Sequence, residues 1–173
     1  IRIKDYAAKY DKEFYVPSIS GFSSMWDRCC EMYAQIVGGT VDYGKAHSEK
    51  YGHNRYGRTY KGVVPDWGKL DSEGKLKKIH VMGHSYGGPT VRCFVHMMAA
   101  GSEEERAVTP AGELSGLFEG GHEDWIASCT TLAGANDGIS FLYAIEKPKD
   151  KIALAVLSGP SWLGAFAPSA TFY

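Results

Sequence analysis

The spacing of apolar residues in the first quarter of the chain predicts two helices separated by a strand. Apolar positions recur every three or four residues over 1–10, which predicts an amphipathic helix. The apolar run at 13–17 predicts a short buried strand. A second helical stripe covers 26–37, where one of the serines at 23–24 is a candidate N-cap. The glycine pair at 38–39 is expected to end this second helix.

The next segment, residues 38–75, shows a different pattern. Glycines are interleaved with tyrosines and tryptophans, and neither the period of a strand nor that of a helix persists. We therefore expect an insertion without regular structure. A stretch of this length inside a compact domain is usually functional or held in place by something else.

Regular patterns return in the second half of the chain. The apolar run at 78–82 predicts a strand, and a helical stripe follows at 89–100. A charged, glycine-rich connection at 101–124 leads to a second buried strand at 125–133, and a further apolar helix is expected at 152–157. Strands alternating with helices in this order are typical of a parallel α/β sheet.

Composition limits the function without identifying it. The chain has 173 residues, of which 44% are hydrophobic, so it is long enough for one domain with a real core. Nineteen basic and 20 acidic residues leave a net charge of −1, which argues against nucleic acid or an anionic membrane as the partner. No apolar run is long enough to span a bilayer, and the polar first residues carry no signal peptide.

The 4 cysteines are interpreted as structural rather than as a disulfide framework. Cys29 and Cys30 are adjacent, and Cys93 and Cys129 each lie alone in an apolar segment. Buried free cysteine behaves as a small hydrophobic residue. Cysteine usage therefore leaves the cellular compartment open.

The strongest chemical signal is Gly-x-Ser-x-Gly at residues 83–87, between the predicted strand and helix. This context is that of a nucleophile elbow, in which Ser85 lies on a strained turn and attacks a carbonyl carbon. The backbone N–H of Tyr86 is then expected to be one donor of the oxyanion hole. The alternative is a glycine-serine turn that matches the pattern by chance. The strand before it and the helix after it favour the nucleophile.

The remaining catalytic groups have no clear candidate in this sequence. In the α/β-hydrolase order an acid and then a histidine follow the serine. His96 lies on the helix that leaves the elbow, and His122 comes too early to be the triad base. Asp137 follows a strand, and we interpret it as shaping its loop rather than as the catalytic acid. We therefore expect the catalytic Asp and His to lie outside this chain.

Several motifs resemble the thermoalkalophilic and staphylococcal lipases, which are secreted bacterial triacylglycerol lipases of the α/β-hydrolase fold. The resemblance covers about residues 12–143. Two segments depart from it: at the elbow, relatives commonly have Gln or Met at Tyr86 and Gln at Pro89, and residues 136–138 are Asn-Asp-Gly where relatives have His-Asp-Gly. The motifs that carry the resemblance are residues 24–31, 38–44, 52–60, 117–122 and 130–133.

The resemblance implies a larger, exported protein, with the amino-terminal strands, the lid helices and a calcium site all outside these 173 residues. It also implies a structural zinc ion, and the matching positions for three of its ligands are Asp27, His47 and His53. A carboxylate and two imidazoles are ordinary zinc ligands, but a tetrahedral site needs a fourth, which is not placed. The alternative interpretation is that Asp27 caps its helix and that both histidines are exposed loop residues.

Three functions remain open from the sequence. The first is a carboxylic-ester hydrolase, specifically a triacylglycerol lipase that forms an acyl-enzyme on Ser85 and acts on lipid esters. The second is a non-catalytic or incomplete relative that keeps the elbow. The third is another acyl hydrolase of this fold, such as an esterase or thioesterase. The acyl-chain preference and the oligomeric state are not indicated.

Overall fold

The structure is a computed structural model that describes residues 3–138; the helix predicted at 152–157 lies outside them. The helices are α1 (Ile3–Lys9), α2 (Met25–Val37), α3 (Lys45–Tyr51), α4 (Gly87–Ala100), α5 (Glu103–Val108) and α6 (Gly116–Glu119). The strands are β1 (Gly39–Asp42), β2 (Tyr56–Tyr60), β3 (Ile79–His84) and β4 (Ile126–Leu132). Single 3-10 turns occupy Ala111–Glu113 and Glu123–Trp125. Along residues 3–138, no helix has the length and apolar character that crossing a membrane requires.

The centre of the fold is a parallel pair of strands with one helix packed against it. β3 and β4 run parallel, with Gly83 opposite Thr131, and α4, which follows β3, packs on both strands. This arrangement confirms the predicted α/β class. The helix predicted at 89–100 begins two residues earlier, at Gly87, because the turn after β3 continues directly into it.

The predicted helix after the serine pair is confirmed as α2. The Ser24 hydroxyl accepts a hydrogen bond from the Asp27 backbone N–H at 3.1 Å, which caps the helix start. Gly38 follows the last turn with φ 92°, a conformation that favours glycine. The inner face of α2 packs on α4 and β1, and together they form the core. Its buried apolar residues include Cys29, Cys30, Met32, Ile36, Phe94 and Met98.

The expectation of an irregular segment at 38–75 is wrong for its first half. β1 and β2 pair antiparallel, with Thr40 opposite Thr59, and α3 lies between them. These elements have 4, 7 and 5 residues. Elements this short cannot display a hydrophobic period, and the glycines that join them break any pattern further.

The strand predicted at 13–17 is also wrong, because this segment forms no regular structure. The chain just after it is held by side chains of α2 instead of by a neighbouring strand. The Ser18 N–H donates to Gln35 Oε1 at 2.8 Å, and the Ser20 N–H donates to Glu31 Oε2 at 2.6 Å.

Two expectations about the later part of the chain need correction. The connection at 101–124 is not only a loop, because Ser102 caps α5 and α6 follows. The second strand was expected to be buried, yet most of β4 is exposed. Within residues 3–138 only β3 and α4 cover it, on one edge and one face. Cys129 on β4 is exposed for the same reason, while all four cysteines are free thiols.

Candidate functional site

Ser85 lies on the turn between β3 and α4 in a strained backbone conformation. Its φ is 52°, a left-handed value that a residue with a side chain adopts only under constraint. The constraint comes from both sides of the turn. The Ser85 N–H donates to the carbonyl of Leu132 at 2.9 Å, and the Ser85 carbonyl accepts from the Gly88 N–H at 2.9 Å. This is the strand, sharp turn and helix geometry that exposes a serine hydroxyl above a parallel sheet.

The glycines around Ser85 allow backbone segments to approach more closely than side chains would permit. A Cβ atom on Gly83 would lie 2.1 Å from the carbonyl oxygen of Gly87. A Cβ atom on Gly88 would lie 2.8 Å from the Cα of Gly134. The strand, the start of the helix and the loop after β4 therefore meet at this turn because these positions lack side chains.

Tyr86 occupies the position just before the first turn of α4. The amides at a helix start have no partner within the helix, and the helix dipole adds favourable potential for negative charge there. A negatively charged oxygen bound beside Ser85 would be stabilised at this location. Tyr86 is 37% exposed, so the residue after the serine lies at the surface.

A second cluster brings together the three residues that were predicted as metal ligands. Asp27 is on α2, His47 is on α3, and His53 follows α3. Asp27 Oδ1 lies 3.2 Å from His47 Nε2 and 3.9 Å from His53 Nε2. One ligand atom from each residue lies within 4.8 Å of the others. The structure therefore forms a candidate metal-binding triad from residues that are up to 26 positions apart.

The triad passes a chemical test for metal binding. Asp27 Oδ1 is buried and accepts no hydrogen bond within residues 3–138, so a ligand for this oxygen is missing. His53 Nδ1 lies 3.0 Å from the carbonyl of Asn54 and must donate to it, which leaves Nε2 as a lone-pair donor. Burial lowers the pKa of His47, against the opposing effect of Asp27, and so favours the neutral form that binds metals.

The alternative reading of these residues is only half right. Ser24 caps α2 through the Asp27 backbone, as a capping pattern requires. The Asp27 carboxylate does not reach back to the cap and instead faces the histidines. His47 is stacked on Trp26 at a centroid distance of 4.9 Å, with an angle of 10° between the rings, so it is not an exposed loop residue.

Glu105, which no motif in the sequence singled out, fixes the helix that carries His47. Its side chain is 1% exposed and accepts hydrogen bonds from the backbone N–H groups of Ala46 at 3.0 Å and His47 at 2.8 Å. Gly44 makes room for it, since a Cβ there would lie 2.3 Å from Glu105 Oε1. A serine followed three residues later by an acid, at Ser102 and Glu105, was the available signal.

The other polar candidates lie elsewhere. The ring of His122 is stacked on Trp125 with centroids 4.1 Å apart, and its Nε2 lies 3.4 Å from Glu119. His96 lines an open cavity of about 530 Å³ between α4 and β4. Asp137 lies in the loop after β4, next to Asn136 at the rim of that cavity. These placements assign His122 a packing role.

Comparison with known proteins gives one family. The model of the family described as "Lipase-like, C-terminal domain" matches residues 1–149. The chain is 50% identical over 123 residues to Lipase 2 of Staphylococcus aureus, a match that covers 70% of this chain and 17% of that protein. The chain therefore spans only a small part of this relative's length.

Solved structures give the same result. The structure of lipase 1 from Pelosinus fermentans superposes with a TM-score of 0.77 at 50% identity, covering 82% of this chain and 36% of that one. Staphylococcus hyicus lipase gives a TM-score of 0.72 at 36% identity, covering 94% of this chain and 40% of that one. The resemblance predicted from the motifs is confirmed. A sheet wider than the two described parallel strands stays a prediction.

Proposed function

The chain belongs to the family of lipase-like C-terminal domains, and on this basis we propose that it carries the nucleophile of a carboxylic-ester hydrolase, specifically a triacylglycerol lipase. The observation that carries the proposal is Ser85 itself. It has φ 52° on a turn from a parallel strand into a helix, with glycine wherever the backbone segments meet. A surface serine without a catalytic role has no need for this strained conformation.

In the proposed reaction, the Ser85 hydroxyl attacks the ester carbonyl and forms an acyl-enzyme that water then hydrolyses. The backbone N–H of Tyr86 stabilises the negative charge that develops on the carbonyl oxygen. We place the catalytic Asp and His outside this chain, as the chain order of the triad requires. Residues 1–173 are then part of a catalytic domain, with residues 38–75 as its insertion, and the domain acts outside the cell.

Zinc is the metal proposed for the triad of Asp27, His47 and His53. Two imidazoles and one carboxylate suit zinc better than magnesium or calcium, which prefer oxygen ligands. The bound ion would supply a fixed positive charge that ties α2 to α3 and is not placed near Ser85. A fourth ligand from outside residues 3–138 would complete a closed, structural site.

The function is tested with p-nitrophenyl esters of short and long acyl chains and with a triglyceride emulsion. The full protein that carries this chain should hydrolyse them, and Ser85→Ala should reduce kcat by about 10⁴-fold or more, as loss of a nucleophile does. Ser128→Ala is a matched control, because Ser128 lies on β4 and hydrogen bonds to His80 at 2.8 Å. Activity that survives Ser85→Ala would overturn the assignment, and hydrolysis of short esters alone would indicate an esterase.

A further inference from the structure

Arg28 is a buried cation on α2 that has no carboxylate partner among residues 3–138. Its side chain is 0% exposed, and Nη2 has no hydrogen-bond partner within residues 3–138. None of the ion pairs formed in that part of the chain includes it. Burial lowers the pKa of the guanidinium, which reflects the unfavourable free energy of removing this charge from water. A buried charge without a counter-ion is costly, so its contacts are informative.

The contacts of Arg28 converge on the residue that follows Ser85. The guanidinium carbon lies 4.7 Å from the centre of the Tyr86 ring, which is a cation–π distance. Arg28 Nε donates to the Thr90 hydroxyl at 3.0 Å. That hydroxyl has two acceptors within reach, the Tyr86 carbonyl at 3.1 Å and Met25 Sδ at 3.4 Å, and the carbonyl oxygen is the stronger of the two. Arg28 Nη1 donates to the carbonyl of Ser20. Arg28 therefore reaches Tyr86 through its ring and through its carbonyl.

Two separate sets of contacts hold the peptide groups on either side of Tyr86, and only the second set includes Arg28. The peptide before it is held by the Ser85 carbonyl, which accepts from the N–H groups of Gly88 at 2.9 Å and Ala135 at 3.3 Å. The peptide after it is held by Thr90. Because a peptide group is planar and trans, holding the Ser85 carbonyl also fixes the opposite direction of the Tyr86 N–H.

We propose that Arg28 is a positioning residue, which holds Tyr86 in place through its ring and, by way of the Thr90 hydroxyl, through its carbonyl, so that the Tyr86 backbone N–H keeps the direction toward the oxyanion that the Ser85 carbonyl sets. This inference rests on the proposed hydrolase function. Arg28 does not touch the substrate. It holds one donor in the direction that the transition state requires, and a donor held in advance costs no reorganisation during the reaction.

Substituting Arg28 directly would leave a large cavity in the core, so Thr90 provides the cleaner test. Thr90→Val keeps the shape of the side chain but removes the hydroxyl that links Arg28 to the Tyr86 carbonyl. Thr90→Ser keeps the hydroxyl and loses only a methyl group. We expect Thr90→Val to lower kcat by about tenfold to a hundredfold with KM unchanged, as a small misplacement of a catalytic group does. Thr90→Ser should recover most of the lost rate.

The matched control is Thr109→Val, because Thr109 is a buried threonine whose hydroxyl has no hydrogen-bond partner in the described part of the chain. It should leave kcat as in the wild type. Melting temperatures are measured for every variant, and activities are compared well below the lowest one. A purely structural role for Thr90 predicts the opposite order, in which Thr90→Ser loses at least as much activity as Thr90→Val, and that order would overturn the proposal.

A second readout separates this inference from the proposed function. Diethyl p-nitrophenyl phosphate phosphorylates an activated serine: the Ser85 oxygen forms a bond to phosphorus, the bond from phosphorus to the p-nitrophenyl oxygen breaks and releases p-nitrophenolate, and the hydroxyl proton passes to the catalytic His of the full protein. The wild type should react, and Thr90→Val should react about tenfold more slowly, because the phosphoryl oxygen needs the same donor. A wild type that neither reacts nor hydrolyses esters refutes the proposed function and this inference with it. Equal rates for the wild type and Thr90→Val refute only the role of Arg28.

Discussion

Among single residues, the turn at Ser85 depends on neighbouring glycines, which have no side chains. Gly83 precedes the serine by two positions and has no unusual φ, so its requirement is for space rather than for backbone freedom. The carbonyl of Gly87 occupies the place where a Cβ on Gly83 would lie. Since the blocking atom belongs to the backbone of α4, no side-chain rotation can relieve the contact.

Gly83→Ala should therefore lower the free energy of unfolding by about 1–3 kcal/mol, the usual cost of overpacking. It should also reduce ester hydrolysis, because α4 and the Tyr86 amide must shift away from β3. Gly112→Ala is the control, since a Cβ there meets nothing within 4 Å. Urea unfolding and kcat measure the two effects. Equal stability for the two variants would contradict the close approach seen at Gly83.

Among the elements, α2 and α5 begin with the same local pattern, a serine followed three residues later by an acidic residue. In both cases the acidic side chain makes its contacts outside its own helix. Ser24 with Asp27, and Ser102 with Glu105, both cap a helix through the serine hydroxyl. In a capping box each acid would return to its own cap. Here both carboxylates reach the region of α3 instead, where Asp27 meets the side chain of His47 and Glu105 binds the backbone at the helix start.

Glu105→Gln should destabilise α3 and, with it, the position of His47. A neutral amide keeps one acceptor for the two N–H groups and loses the favourable charge at a helix start, so we expect a loss of about 1–3 kcal/mol in unfolding free energy. Metal affinity should fall as well. Glu104→Gln is the matched control, because Glu104 is exposed in the same turn of α5. A Glu105→Gln variant with unchanged stability and metal affinity would show that this contact does not position α3.

At the scale of the whole molecule, the two candidate sites share α2. Asp27 points toward the metal triad, whereas the adjacent Arg28 points toward the turn after Ser85. The candidate metal triad joins α2 to α3 and to the loop that leads into β2, while Ser85 lies on the β3–β4 unit. The two units differ in what stabilises them. The unit of β1, α3 and β2 has short elements and a candidate metal site. The unit of β3 and β4 is packed against the core through α4.

Removing the metal should therefore loosen one unit and leave the other intact. Binding a ligand stabilises only the structure that holds it, so chelation should speed amide hydrogen exchange in residues 39–60 and leave residues 79–84 unchanged. The double variant of His47→Ala with His53→Ala should show the same exchange pattern without a chelator, and it should carry less zinc by elemental analysis. Equal zinc content in the double variant and the wild type would reject the site.

Features that depend on local chemistry could be predicted from the order of residues. The period of apolar residues predicted α2 and α4, the serine caps predicted where a helix starts, and Gly-x-Ser-x-Gly between a strand and a helix predicted the turn at Ser85. These signals are reliable because neighbouring residues interact along one element, whatever surrounds it. The motifs that resemble lipases correctly identified the family.

Contacts between residues far apart in the sequence became known only from the packing of the folded chain. Residue spacing alone did not predict that Asp27 lies close to His47 and His53. It also did not predict the short elements β1, α3 and β2. The sequence also did not predict that Arg28 is buried beneath Tyr86, because a charged residue on a helix is usually solvated. Which side of α2 faces α4 depends on packing between elements, and no local pattern contains that information.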